Sequence, residues 1–217
     1  MALTPLPANG RSLLARVSAT LLVVGALMAS VSTGLAEAYG TPTDPPSRTY
    51  GCWQRWNTNP LDPTMPQADP MCRRLWQADP SGRWYTEGVY RDGAAGPVPN
   101  GRLCSAGQAR YAALDEPGGW RAAVRGRLST VVVTDRPRLG ADHLRVYLTK
   151  QGYDATTSPL GWNHLDLVVT TGRITNVDQV SFTVNALDRT GRHVIYSVWQ
   201  APGSDRAYYS CTDVVFQ

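Results

Sequence analysis

The sequence predicts an all-β protein: an antiparallel β-sandwich of the immunoglobulin or fibronectin kind, preceded by a long loop region pinned by disulfides. Three observations carry this. Short β-branched runs recur at 129–134, 144–149, 165–170, 180–185, 192–200 and 208–216, with turn residues between them. Within one of them, strict alternation over 193–199 puts Val194, Tyr196 and Val198 on one face. From 51 to 107 the composition shifts to Pro, Gly, Asp and Trp with little periodicity, which reads as loop with a short helix around 70–77.

Taken from the start, residues 1–38 read as a secretory leader. Arg11 and Arg16 precede an apolar run from about 17 to 29, and the small-residue site Ala36-Glu37-Ala38 follows. The run is shorter than the roughly 20 apolar residues that span a bilayer, so membrane attachment is expected only through an uncleaved leader. Residues 39–217 then form one domain, large enough to bury a core. Its four cysteines, Cys52, Cys72, Cys104 and Cys211, include no C-x-x-C pair, which argues against zinc and thioredoxin-like chemistry. In an exported chain they predict disulfides, with three connectivities open.

The formal charge of +4 and pI near 9.0 come almost entirely from arginine, Lys150 being the only lysine. The basic residues form no dense run, so nucleic acid is not an expected partner. A modest positive charge suits anionic wall or envelope surfaces. No G-x-S-x-G elbow, H-E-x-x-H helix or P-loop occurs. Asp115-Glu116 is a carboxylate pair, but neighbours in a Pro-Gly turn do not face each other across a sugar as a glycosidase acid and base do.

Several blocks in register resemble one family. YGTPTDPPSRTYGCW at 39–53 is similar to the start of the mature bacterial lytic polysaccharide monooxygenases, the chitin-binding type-4 family (auxiliary activity family ten). NGRLCSAG at 100–107 resembles the motif around that family's third cysteine. LRVYLTKQGY at 144–153, TGRHVIYSVWQ at 190–200 and YYSCTDVVF at 208–216 resemble its central, penultimate and closing strands. The resemblance implies the pairs Cys52–Cys72 and Cys104–Cys211. It also implies a copper ion held by a histidine brace: the amine and imidazole of an N-terminal histidine plus a second imidazole, nitrogen ligands that suit copper.

This chain departs from the pattern where the metal would bind. Tyr39 stands at the first imidazole position and Leu139 at the second, with Gly140 the neighbouring alternative and Pro137 two positions before. Tyr208 keeps the aromatic character of the axial position. A neutral tyrosine, with a reference pKa of about 10, is a poor copper ligand near neutral pH. Of the three histidines, His143 is a weak candidate metal ligand, His164 falls in a turn, and His193 reads as structural. Arg138 and Arg206 could lie near the old metal position, where fixed positive charge would grip an anionic or hydroxyl-rich ligand; the competing reading makes them solvated surface arginines. In the family the loop region supplies the glycan-binding face. Here it carries Trp76, Trp84, Tyr85, Glu87, Tyr90 and Arg91, with Trp84-Tyr85 the candidate aromatic pair; the competing reading packs these rings onto the sandwich. Trp53, Trp56, Trp120 and Trp199 are assigned to the core.

The expectation is a secreted, monomeric, non-catalytic binder of chitin, cellulose or cell-envelope glycan with no cofactor. Its alternatives are an active copper-dependent polysaccharide monooxygenase with a non-standard metal site, and a protein-binding surface module.

Overall fold

The computed structural model describes residues 40–217 together with Met1. The leader expected over 1–38 and the side chain of Tyr39 lie outside the described residues. Among those described, no helix is long and apolar enough to cross a membrane.

Two sheets make the sandwich. The smaller has the order β1 (Thr41–Asp44), β4 (Leu128–Thr134), β7 (Gln179–Asn185). The larger runs β2 (Tyr90–Arg91), β9 (Ala207–Phe216), β8 (Gly191–Gln200), β5 (His143–Thr149), β6 (Leu165–Thr170), with β3 (Ala123–Arg125) also on β9. All pairings are antiparallel except β3 with β9, which is parallel. The six strands expected from β-branched runs are all present, within a residue of their predicted ends. The three additional strands are two to four residues long. Such segments are too short to show a period of two, and the long strands β4 and β9 recruit them by pairing.

The larger sheet is covered on both faces. Val131, Val133, Leu144, Val146, Leu148, Ile195 and Trp199 form the core between the sheets. The opposite face, bearing Val194, Tyr196 and Val198, packs beneath the segment that joins β1 to β3. The predicted alternation in β8 is therefore real, but Ile195 and Trp199 on its other face are buried as well.

The expected loop region is largely helical, which corrects the sequence reading. It holds α1 (Arg48–Trp56), α2 (Met65–Ala68), α3 (Pro70–Ala78) and α4 (Arg83–Thr86). Only α3 was anticipated. The Ser47 side chain caps α1 by accepting from the Tyr50 amide at 3.2 Å. Helices this short are marginal on their own, so packing has to hold them. Cys52 of α1 bonds Cys72 of α3, and Cys104 bonds Cys211 of β9. These are the two pairs that the resemblance implies. Asp69, buried between helices, accepts from Arg55 Nε at 2.8 Å and from Trp56 Nε1 at 2.9 Å.

Arg48 ties this helical layer to the sheet. Its guanidinium is buried, donates to both carboxylate oxygens of Asp213 on β9 (2.7 and 3.2 Å) and to the Leu114 carbonyl at 2.6 Å, and lies 4.6 Å from the Trp120 ring.

Candidate functional site

The face expected to matter is built around one indole. Trp199, near the end of β8, is buried, and its Nε1 donates to the Gly140 carbonyl at 3.0 Å. A Cβ on Gly40 would come within 2.2 Å of the same ring, and Gly40 adopts a φ of +55°. Only glycine meets both conditions there. One indole thus fixes the backbone next to Tyr39 and next to Leu139, two positions a hundred residues apart. Trp199 also sits opposite Tyr208 in the β8–β9 register.

Asp135 shapes the second of these approaches. Just past the end of β4, it is buried, and its Oδ2 accepts the Gly140 amide at 2.6 Å. The Leu139 amide bonds it too. Gly140 has a φ of +76°, and a Cβ there would fall 2.0 Å from the Ile174 carbonyl oxygen. The loop from Asp135 to Gly140 is therefore closed by a carboxylate on one side and by main chain on the other. Burial raises the Asp135 pKa above the ordinary carboxylate value, against the lowering effect of the two amides. The folded state then holds a proton more tightly than the unfolded chain, so this group favours folding increasingly as pH falls through the window just above 3.8. Asp135→Asn keeps an acceptor for Gly140 and removes the titration. Thermal unfolding across pH 3.5–7 should show wild type gaining on the variant as pH falls; wild type losing ground to the variant over that range would reverse the assignment.

At the surface Leu139 is 51% exposed and offers no donor atom. Tyr208 is nearly buried and lies 5.9 Å from the Tyr90 ring. The three histidines are spread apart. His193 is buried, with ring nitrogens 3.0 Å from Thr149 Oγ1 and 3.2 Å from the Thr190 carbonyl, a structural role as expected. His164 follows the far end of β5, where its Nδ1 accepts the Gly161 amide at 3.1 Å. His143 opens β5 opposite Gln200, and its pKa is lowered by partial burial and by Arg145. Among the described residues, no three His, Cys, Asp or Glu side chains group in a way that could hold a metal ion. At the positions where the resemblance expects the two brace imidazoles, 39 and 139 (or its neighbour 140), the sequence has a phenol and an aliphatic side chain (or glycine), and these residues do not fit a histidine-brace copper centre.

Two sequence expectations are corrected here. Trp84 is fully buried, its Nε1 bonded to the Asp79 carbonyl and its ring edge-on to Trp76 at 4.9 Å. It cannot present a flat face to a polysaccharide, because α4 turns it inward. Tyr85 is half-buried and stacked on Trp53 at 4.2 Å. Glu87 pairs with Arg83 and Arg110, both at 3.3 Å. Second, the arginines do not supply bare positive charge. Arg138 makes a bidentate pair with Asp178. Arg206 donates to Asp92 at 2.7 Å, lies 4.2 Å above the Tyr90 ring, and also bonds Tyr208. Each carboxylate cancels its cation, and both partners are remote in sequence. Sequence reasoning missed Asp135 and Gly40, named Gly140 only as the alternative to Leu139, and filed Trp199 as core only. The run of Asp, Pro and Gly over 135–140 was the available signal for a shaped loop.

A family model described as lytic polysaccharide mono-oxygenase, cellulose-degrading, matches residues 39–214. The chitin-binding protein CbpD of Pseudomonas aeruginosa is 30% identical over 92% of this chain and 53% of its own length. A lytic cellulose monooxygenase of Streptomyces ambofaciens is 32% identical over 94% of this chain and 60% of its own. The chain thus spans between half and two thirds of these curated relatives. Among solved structures, a monooxygenase of this type from Micromonospora aurantiaca is 45% identical with a TM-score of 0.76, covering 82% of this chain and 100% of that one. Another, from Kitasatospora papulosa, is 41% identical with a TM-score of 0.77, covering 82% and 98%.

Proposed function

Because this chain belongs to the bacterial lytic polysaccharide monooxygenase family, we propose that it is an exported binder of β-linked polysaccharide (chitin, cellulose or an envelope glycan) that does not use a copper brace. The observation that carries the proposal is the pairing of a retained frame with altered ligand positions. Trp199 and Asp135 fix the backbone at Gly40 and Gly140, the residues that follow positions 39 and 139, while the sequence has Tyr and Leu at those two positions. A frame this constrained supports continued use of the face. Leu139, exposed beside the Arg138–Asp178 pair, gives that face an apolar spot with a polar rim rather than a set of nitrogen ligands. The paired arginines leave hydrogen-bonding groups at fixed positions without strong net charge, which suits a neutral, hydroxyl-rich partner.

Two measurements test this on protein whose N-terminus has been established by mass spectrometry. Titration with Cu(II), followed by calorimetry and electron paramagnetic resonance, should reveal no tight stoichiometric nitrogen-coordinated site. Pull-down on insoluble chitin and cellulose should retain the protein. A tight site with nitrogen couplings would refute the copper-independent half of the proposal. Failure to bind any insoluble glycan, cell-wall preparations included, would refute the other half.

A further inference from the structure

Beside this face lies a cleft of about 490 Å³, between the helical layer and the ends of the smaller sheet. We propose that it is a subsite for a neutral pyranose unit, supplied by a soluble oligosaccharide or by a chain end of an insoluble glycan. The proposal rests on the glycan-binding reading above and gives it a second point of contact.

The floor is a row of polar side chains across three strands. Thr41 pairs with Thr134, and Thr134 with Gln179, in the β1–β4–β7 register. The Oγ1 atoms of Thr43 and Thr134 are 2.9 Å apart, and Gln179 Nε2 donates to Thr134 Oγ1 at 3.4 Å. Threonine hydroxyls and a primary amide both give and accept hydrogen bonds, as ring hydroxyls of a sugar require. One wall is aromatic. Tyr50 and Tyr85 stand 6.0 Å apart, and the stacking of Tyr85 on Trp53 at 4.2 Å holds its ring in position. A pre-set ring offers apolar area at little conformational cost to the CH face of a pyranose. Across the cleft, Asp178 is held by both guanidinium nitrogens of Arg138, so this pair adds donors and acceptors without net charge. The volume falls within the roughly 300–1,000 Å³ of ligand clefts, and the lining mixes hydroxyl, amide and ring groups as such sites do. Arg136 also lines the cleft and adds a guanidinium donor, while an apolar ligand would cover this polar floor without bonding to it.

The test titrates the full chain with hexamers of N-acetylglucosamine and of glucose, read by calorimetry and by chemical-shift changes. Gln179→Ala and Thr134→Val remove the floor contacts. Gln179 is exposed on the edge of its sheet, so its replacement leaves the fold intact, which circular dichroism checks. The expected result is saturable binding of one hexamer, weakened at least fivefold in both variants. No hexamer binding, or binding unchanged in both variants, would overturn the proposal. If pull-down on insoluble glycan survives in that case, the cleft assignment fails and the broader reading stands; if pull-down fails too, both fall.

Discussion

Arg48→Ala is expected to destabilise the protein by about 3–5 kcal/mol, the usual cost of breaking a buried ion pair from one side. The side chains of Arg48 and Asp213 are 6% and 0% exposed. Alanine would leave the Asp213 carboxylate buried with only Arg192, 3.6 Å away and partly solvated, as a counter-charge. It would also strip the Leu114 carbonyl of a donor at 2.6 Å and remove the cation from the Trp120 ring. For a domain of this size the melting temperature should fall by about 6–20 °C. Chemical denaturation gives the free energy directly. Arg48→Met combined with Asp213→Leu removes both charges and should recover part of the loss, because the desolvation cost disappears with the attraction. A single-variant loss below about 1 kcal/mol would mean that Arg192 alone suffices for Asp213.

The second large effect concerns the long disulfide. Cys104 and Cys211 are 107 residues apart, against 20 for Cys52 and Cys72. In the chain-entropy treatment, closing the longer loop restricts the unfolded chain by about 4.8 kcal/mol and the shorter by about 3.3 kcal/mol. Replacing Cys104 and Cys211 together with alanine should therefore cost more stability than replacing Cys52 and Cys72. The longer bridge also joins the segment before β3 to the closing strand, and Arg48 Nη1 lies 3.6 Å from Cys104 Sγ. Loss of this bridge and loss of Arg48 should be non-additive, since both fasten the helical layer to β9. Equal costs for the two bridges, measured by denaturation of the paired variants, would indicate that native packing rather than loop closure sets their contribution.

Both predictions concern the attachment of the helical layer, which supplies one wall of the cleft proposed above as a sugar subsite. Tyr50 belongs to α1 and Tyr85 to α4, whereas the floor belongs to β1, β4 and β7. A variant that loosens the layer without unfolding the sandwich should lose oligosaccharide binding before it loses its β-sheet signal.

The sheet was legible because its evidence is local. Val194, Tyr196 and Val198 share a face as a direct consequence of the period of a strand, and β-branched runs bounded by turn residues need no partner to be recognised. His193 reads as structural because its block resembles one where the family carries histidine, and it is buried and hydrogen-bonded. The helical layer resisted the same treatment. Proline and glycine interrupt 51–107, the helices are four to nine residues long, and their stability comes from Asp69, the two disulfides and the face of the larger sheet. Trp84 shows the consequence: in a loop it would be a fair candidate for a sugar platform, but on α4 it is core.

By itself, the sequence determined the strand pattern and the presence of Tyr and Leu at 39 and 139, the positions where the family resemblance expects imidazoles, because residue identity and short-range periodicity are written directly in the chain. Only the tertiary structure decided how charge and shape are arranged around those residues. Arg138 meets Asp178 across 40 positions, Arg206 meets Asp92 across 114, and Trp199 reaches Gly40 and Gly140 from the opposite end of the domain. Such partners are chosen by how sheets and helices pack, and packing distance bears no fixed relation to distance along the chain.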